Sequence, residues 1–373
     1  MNEMGKSIYK NRLAALRSAM AKRKLDACII PITDPHLSEY VPEYWRVIEW
    51  LTGFTGSAAT VVVTKKFAGL WTDSRYFIQA ERQLEGTGFT MVKLRVPHTP
   101  EYIDWLAGAL KSGSRIGVDG RVISVGQARL LKEKLSSKKI SLSFRSDLIT
   151  PIWQDRPPMP DAMAFEHPVS YAGLSRRGKI SLLNEKMKDM GVDYQLLTSV
   201  DDVMWLLNIR GGDVPNTPLL TSFALAGNDQ VLLFAGEEKI PGAMKAALDL
   251  DGVVLLPYET ITPVLSSLDE EKTILYTPGT TSAAIFYSLP AKMEKKEDVS
   301  IVTRLKAVKN DTEINNIREV MVRDGVALTK FFMWLEENVG KDTITELSAS
   351  ARLEAFRREQ EGCMGPSFTT IAA

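Results

Sequence analysis

The stretch WTDSRYF, residues 71 to 77, is the first place where the sequence offers chemistry. Arg75 falls where a strand pattern gives way to a helix pattern, among aromatic residues. A guanidinium there can present its planar fork to a carboxylate or a peptide carbonyl, or close on the neighbouring carboxylate of Asp73. Upstream, GFTGSAAT (residues 53 to 60) carries its serine after the second glycine. It is therefore no nucleophile elbow, where the serine sits between the glycines, and no phosphate loop, which ends in Gly-Lys-Ser/Thr. Gly53 and Gly56 suit a tight turn into the next strand. Asp201 and Asp202 are adjacent acids at a helix start, where the dipole favours carboxylates. In WLLNIRGGDVPNTPLL, Arg210 and Asp213 are placed to pair across a turn rich in glycine and proline. His36, in TDPHLSEY, stands near Asp34 and Glu39 in a polar loop that suits a cleft wall or an interface.

Metal ligation has little to work with. The three histidines are His36, His98 and His167, which leaves none in the last 206 residues. There is no H-E-x-x-H pattern and no cysteine pair. Cys28 lies inside an apolar strand, where it packs as an inert thiol. Cys28 and Cys363 are too far apart for a disulfide framework, which favours a reducing compartment and a cytoplasmic location. Lys plus Arg and Asp plus Glu both number 46, so no net field draws in nucleic acid or anionic lipid. No apolar run approaches the roughly 20 residues that span a bilayer. The amino terminus has no apolar stretch after its basic residues, so it does not read as a secretory signal.

The elements that must position these residues fall into three pieces. In the first, DACIIPI and RIGVD read as strands, and ATVVVTKKFAGLWT reads as a hairpin turning at Lys65 and Lys66. IYKNRLAALRSAMAKR, SRYFIQAERQLEG and VGQARLLKEKL have helical spacing. Mixed order of this kind makes an α/β layer fold. TPIWQDRPPMPDAMAFEHP follows, with five prolines from Pro151 to Pro168, and reads as an extended linker. The second piece repeats the first. DYQLLTS, VDDVMWLLN, the hairpin PLLTSFALAGNDQVLLFA and KTILYTPGTTSAAIFYSL succeed one another as their counterparts do, with Asp26 and Asp193 opening the two units. LPAKMEKKED reads as a short charged linker. The third piece holds a helix capped by Asn310 and Glu313 that runs to Gly340, and a second helix capped by Thr343 and Glu346. Ile314, Ile317, Met321, Leu328, Phe331 and Leu335 share one face of the first, which should be unusually exposed at Met321, Leu328 and Leu335. Ser367 to Ala372 read as the start of a strand. The expected divisions are 1–155, 156–300 and 301–373.

Taken together, DPHLSEY, LTGFTGSAAT, LWTDSRYFIQA, IWQDRPPMP, MWLLNIRGGDVPNTP, LKAVKNDTEI, EAFRREQ and SFTTI resemble, in order, the three-domain Xaa-Pro aminopeptidases, or aminopeptidases P. The resemblance implies two creatinase-like amino-terminal α/β domains, mixed sheets flanked by helices, and the first helices of a "pita-bread" α+β catalytic domain. It implies a metallopeptidase that removes the residue ahead of a proline, with peptides carrying proline second as partners. It also implies two divalent metals, usually manganese, on two Asp, one His and two Glu, and a bridging water. In the family those ligands follow the SFTTI phrase. The resemblance therefore implies that this chain stops ahead of them, holds no metal and is inactive alone, and that Glu346, Glu354 and Glu359 are surface acids. Arg75 is the position the resemblance assigns to peptide binding. Ser74 and Ala59 stand where the family often has glycine, and NTP replaces Asn-Pro. A homodimer is implied through the amino-terminal domains. Two other readings stay open: a metal-free, protein-binding relative of the same fold, and a creatinase-like hydrolase, which would need a catalytic histidine.

Overall fold

The computed structural model describes residues 3–227 and 230–371, with side chains from residue 7 onward. In the first unit α1 (Glu3–Lys22) lies ahead of a six-stranded sheet of β1 (Ala27–Pro31), β2 (Thr60–Thr64), β3 (Ala68–Thr72), β4 (Thr90–Lys93), β5 (Arg115–Val118) and β6 (Ser141–Ser143). The order is β4-β3-β2-β1-β5-β6. The β1–β2 and β2–β3 pairs are antiparallel, and the β3–β4, β1–β5 and β5–β6 pairs are parallel. α2 (Val47–Thr52), α3 (Phe77–Leu84), α4 (Glu101–Ala109) and α5 (Val125–Leu135) complete the unit. The apolar runs of the strands make sense because both sheet faces are covered. Cys28, Ile30, Val61 and Val63 enter one core, while Ala27, Ile29 and Val62 enter the other.

The linker carries the short β7 (Phe165–Glu166), followed by α6 (Val169–Ala172) and α7 (Arg176–Asp189). Its Trp153 ring stacks on Trp50 of α2 at 4.8 Å, which ties the prolines to the first unit. The second sheet comprises β8 (Tyr194–Leu197), β10 (Phe223–Gly227), β11 (Gln230–Ala235), β12 (Val253–Pro257), β13 (Thr273–Tyr276) and β14 (Glu294–Glu297). Between its first two strands come α8 (Val200–Leu207) and β9 (Ile209–Arg210), which pairs with β7. Its order, β12-β11-β10-β8-β13-β14, and its senses repeat those of the first sheet. Asp26 and Asp193 play equivalent parts: each carboxylate accepts from the backbone N–H opening a parallel strand, Arg115 at 3.0 Å and Thr273 at 2.8 Å. α9 (Gly242–Leu250), α10 (Ile261–Ser266), α11 (Ala283–Phe286) and α12 (Ile301–Ala307) flank this sheet.

The units meet along a two-sided seam. Val125 N–H donates to the Thr281 carbonyl at 2.9 Å and Ala283 N–H donates to the Ile123 carbonyl at 2.8 Å, with Ser124 facing Ser282. Ser124 caps α5 and Ser282 caps α11. Val125 is buried in the second unit's core and Ala283 in the first's. Arg129 of α5 adds a bond to Tyr276 at 2.8 Å and an ion pair with Glu297.

Several expectations are corrected. LPAKMEKKED is no linker, since Glu294–Glu297 form edge strand β14, parallel to β13. Edge strands tolerate such charge because only one side of their backbone is paired. α12 packs Ile301 and Val302 into the second unit's core, so that core extends past residue 300. α13 (Asp311–Asn338) starts with the expected Asn310–Glu313 box, but α14 (Glu346–Arg358) is capped by Thr345 with Ser348, not by Thr343 with Glu346. On α13 only Ala327 is fully buried. Met321 is 63% exposed, whereas Leu328 and Leu335 are half-buried. Residues 367–371 form no strand, and Ala372 lies outside the described residues, as do Asn228 and Asp229 of the second hairpin. No helix among the described residues is long and apolar enough to cross a membrane.

Candidate peptide-binding cleft

Arg75 stands on a single 3-10 turn, residues 74–76, between β3 and α3. Asp73 caps that turn, and its buried carboxylate grips the guanidinium with Nε at 2.9 Å and Nη2 at 2.8 Å. The expected pairing with Asp73 is present. The pairing with Asp73 leaves the Arg75 side chain 56% exposed, with no partner on Nη1 among the described residues. The arginine's hydrogen bond holds the Asp73 carboxyl below its ordinary value, so the pair stays charged. The Tyr76 ring lies 5.2 Å from the guanidinium carbon, and its hydroxyl meets Ser57 Oγ at 2.6 Å. A fork held in this way loses little freedom on meeting a carbonyl or carboxylate.

Arg75 faces an open cleft of about 410 Å³ whose other walls include Ser38, Glu39, Ser57, His98 and Gln127. A second hollow of about 270 Å³ shares Glu39 and Ser57 and continues to Tyr40, Gly56, Asn216 and Thr369. Asn216 Nδ2 donates to Thr369 Oγ1 at 3.3 Å, and Phe368 meets Tyr40 edge-on at 6.1 Å. Five stretches remote in sequence, DPHLSEY, GFTGSAAT, WTDSRYF, GGDVPNTP and SFTTI, thus converge here. Gly56 is required by crowding: a Cβ there would sit 2.3 Å from the Phe54 ring. Two other stretches serve elsewhere. Arg156 of IWQDRPPMP bonds the Tyr44 carbonyl, and LKAVKNDTEI carries α12 into α13.

Arg210 and Asp213 do not pair. Arg210 donates to the Met204 and Ile209 carbonyls. Asp213 is fully buried, paired with Lys239 and accepting from Thr221 N–H at 2.6 Å. Asp201 and Asp202 open α8 as expected, with both carboxylates on Lys306 of α12. His36 is 3% exposed and touches the second unit. Its partners Thr198 and Tyr258 lie 162 and 222 residues away, beyond the reach of any local pattern. Burial pushes the Cys28 thiol up to about 12. No group of three potential metal ligands converges among the described residues. Glu354 pairs with Arg358 and Glu359 with Lys330. The described residues do not fit a dinuclear centre.

Residues 12–144 match the creatinase/prolidase N-terminal domain, and residues 155–313 match a second model of that domain. With two such domains in tandem, the chain belongs to the creatinase/prolidase family. Within that family it is a relative of the Xaa-Pro aminopeptidases. All of it aligns with Xaa-Pro aminopeptidase 1 of Dictyostelium discoideum at 32% identity, covering 61% of that protein. Aminopeptidase P2 of Arabidopsis thaliana is also 32% identical, over 98% of this chain and 56% of the relative. The crystal structure of X-prolyl aminopeptidase from Caenorhabditis elegans, described as a cytosolic enzyme with a di-nuclear active site, matches with a TM-score of 0.90 and 31% identity, over 100% of this chain and 62% of that one. The chain thus spans about three-fifths of the length of these relatives.

Proposed function

We propose that this chain provides the peptide-facing amino-terminal part of a cytosolic Xaa-Pro aminopeptidase, with Arg75 binding the peptide. The observation that carries the reading is the paired but outward-facing Arg75 fork at the cleft where five separate stretches meet. Similarity along the whole of this chain to the amino-terminal three-fifths or so of Xaa-Pro aminopeptidases supports it. The functional parts are residues 1–155, which include Arg75 and supply homodimer contacts, residues 156–300 extended by α12, and the helices beyond. Two divalent ions, manganese by family resemblance, would supply Lewis acidity in the complete enzyme. In this reading the chain alone binds peptide without cleaving it.

Calorimetric titration with Ala-Pro-Pro tests this. Binding weakened about tenfold by Arg75→Ala is expected from the loss of a charge-assisted hydrogen bond. Equal affinity in the two proteins refutes the role of Arg75. Release of alanine by this chain in added Mn²⁺, at the rate of a complete Xaa-Pro aminopeptidase, refutes its inactivity. The second reading, a protein-binding relative without catalysis, is favoured by the exposed apolar residues Val320, Met321 and Phe332 of α13. That reading predicts no affinity for the tripeptide.

A further inference from the structure

Two bonds from His36 cross from the first unit to the second. Nδ1 lies 3.0 Å from the Thr198 carbonyl, which can only accept, so Nδ1 carries the proton. Nε2 is then bare and accepts from the Tyr258 hydroxyl at 2.9 Å. That neutral tautomer satisfies both partners at once. The ring also lies 4.1 Å from the Phe223 ring of β10, which holds its face against the second unit. On its own side, Asp34 Oδ1 accepts from the backbone N–H groups of His36 at 2.9 Å and Ser38 at 3.0 Å. Leu37 between them takes a left-handed φ of 56°. The loop is thereby a stiff bracket, anchored at one end by an imidazole in the second unit. Its other end is Ser38 on the Arg75 cleft, Tyr40 on the second hollow and Glu39 on both.

We propose that His36 is a positioning residue: its neutral imidazole latches the Ser38–Tyr40 wall of the peptide cleft to Thr198 and Tyr258 of the second unit. The proposal rests on the peptide-binding reading for its consequence, and on the contacts alone for the latch. A second proton would have to enter on Nε2, so that Tyr258 must turn its O–H away and accept in place of donating, with a charge enclosed between the units. The charged groups around the ring divide, with Asp34 and Asp213 favouring the proton and Lys239 opposing it. Burial outweighs them and holds the histidine below its ordinary value. The latch is therefore closed at neutral pH and opens only as the pH falls below the usual histidine range.

Hydrogen exchange of the purified chain, read by mass spectrometry and corrected for intrinsic rates, tests the latch without reference to activity. Segment 33–41 is expected to exchange at least tenfold faster in His36→Ala and in Tyr258→Phe, with α5 unchanged as the folding control. In the unmodified chain, protection of 33–41 should fall only as the pH is lowered below the usual histidine range. In His36→Gln, whose amide does not titrate, protection should be independent of pH. Unchanged exchange in both single variants, or the same pH profile in His36→Gln, overturns the latch. Titration with Ala-Pro-Pro separates the two layers. If the latch variants speed exchange and weaken the peptide about tenfold while Ser38 and Glu39 are intact, the positioning role stands. Faster exchange with unaltered peptide affinity overturns it. A peptide that binds none of the proteins refutes the peptide reading, and the exchange data then still decide the latch.

Discussion

His167 lies on the linker that leads into the second unit, with its backbone N–H on the Asn208 carbonyl at 2.8 Å and its ring 6.0 Å from Tyr171. Burial, then the charges of Arg210 and Lys179, push it down to about 4, with only Glu313 pulling the other way. The cations are themselves hemmed in. Lys179 is 1% exposed, bonds the Trp205 carbonyl and Asn208 Oδ1, and burial pushes it down to about 8. A third positive charge is unwelcome here. Because the folded state disfavours the protonated imidazole, His167 contributes its full stability above 6.5, the unfolded value, and loses it as pH falls towards 4. The drop from 6.5 to about 4 corresponds to about 3.4 kcal/mol for a fully enclosed group. Half-burial screens it, so about 2 kcal/mol is expected. Exchange of the slowest amides of α7 and α8 at pH 7.5 and 4.5, in the unmodified chain and in His167→Gln, measures it. The substitution cancels contributions from all other groups. The unmodified chain should lose about 2 kcal/mol more than the variant on acidification. Equal losses would show that the cationic surroundings do not act on this ring.

Three further outcomes follow from named contacts. Lys239→Met strands the buried Asp213 carboxylate with only Thr221 N–H, and should cost about 3–5 kcal/mol in urea unfolding. Adding Asp213→Leu should restore most of that, and no restoration would mean that the pair is not the source. Gly56→Ala drives a methyl against the Phe54 and Tyr76 rings and should cost about 1–3 kcal/mol by calorimetry, together with lower peptide affinity. A neutral effect would place the loop elsewhere. Cys28, 1% exposed and with its thiol pushed up to about 12, should resist a thiol-specific disulfide reagent in the folded chain while Cys363 reacts. Rapid labelling of both would contradict the buried strand.

The central strands of the two sheets, β1, β2, β3, β5, β8, β10, β11 and β13, were legible because their signals are local. Valine runs buried on both faces, the turn at Lys65–Lys66 and the Asn310–Glu313 box need only a few adjacent residues to declare themselves. β14 was hidden because Glu294, Lys295, Lys296 and Glu297 carry the composition of a solvated linker, and only the empty edge of β13 makes them a strand. Thr343 and Thr345 both offer a capping oxygen, and spacing alone could not choose between them. Arg75 was legible as a fork at a strand–helix junction, but the cleft in front of it was not. Ser38, Gly56 and Asn216 come from loops whose meeting depends on how the two units dock. The same holds for Asp213, whose partner Lys239 lies beyond two strands, and for His36.

The exchange of main-chain bonds between Ile123–Val125 and Thr281–Ala283 is isologous: each unit offers the other the same patch it receives. Such a contact needs one surface to evolve, not two, and it closes on itself without leaving a second patch to recruit more copies. A gene doubling that fused two copies already joined in this way would have kept the dimer and released each half from identity. One half could then specialise its exposed turns while the other kept the axis between them fixed.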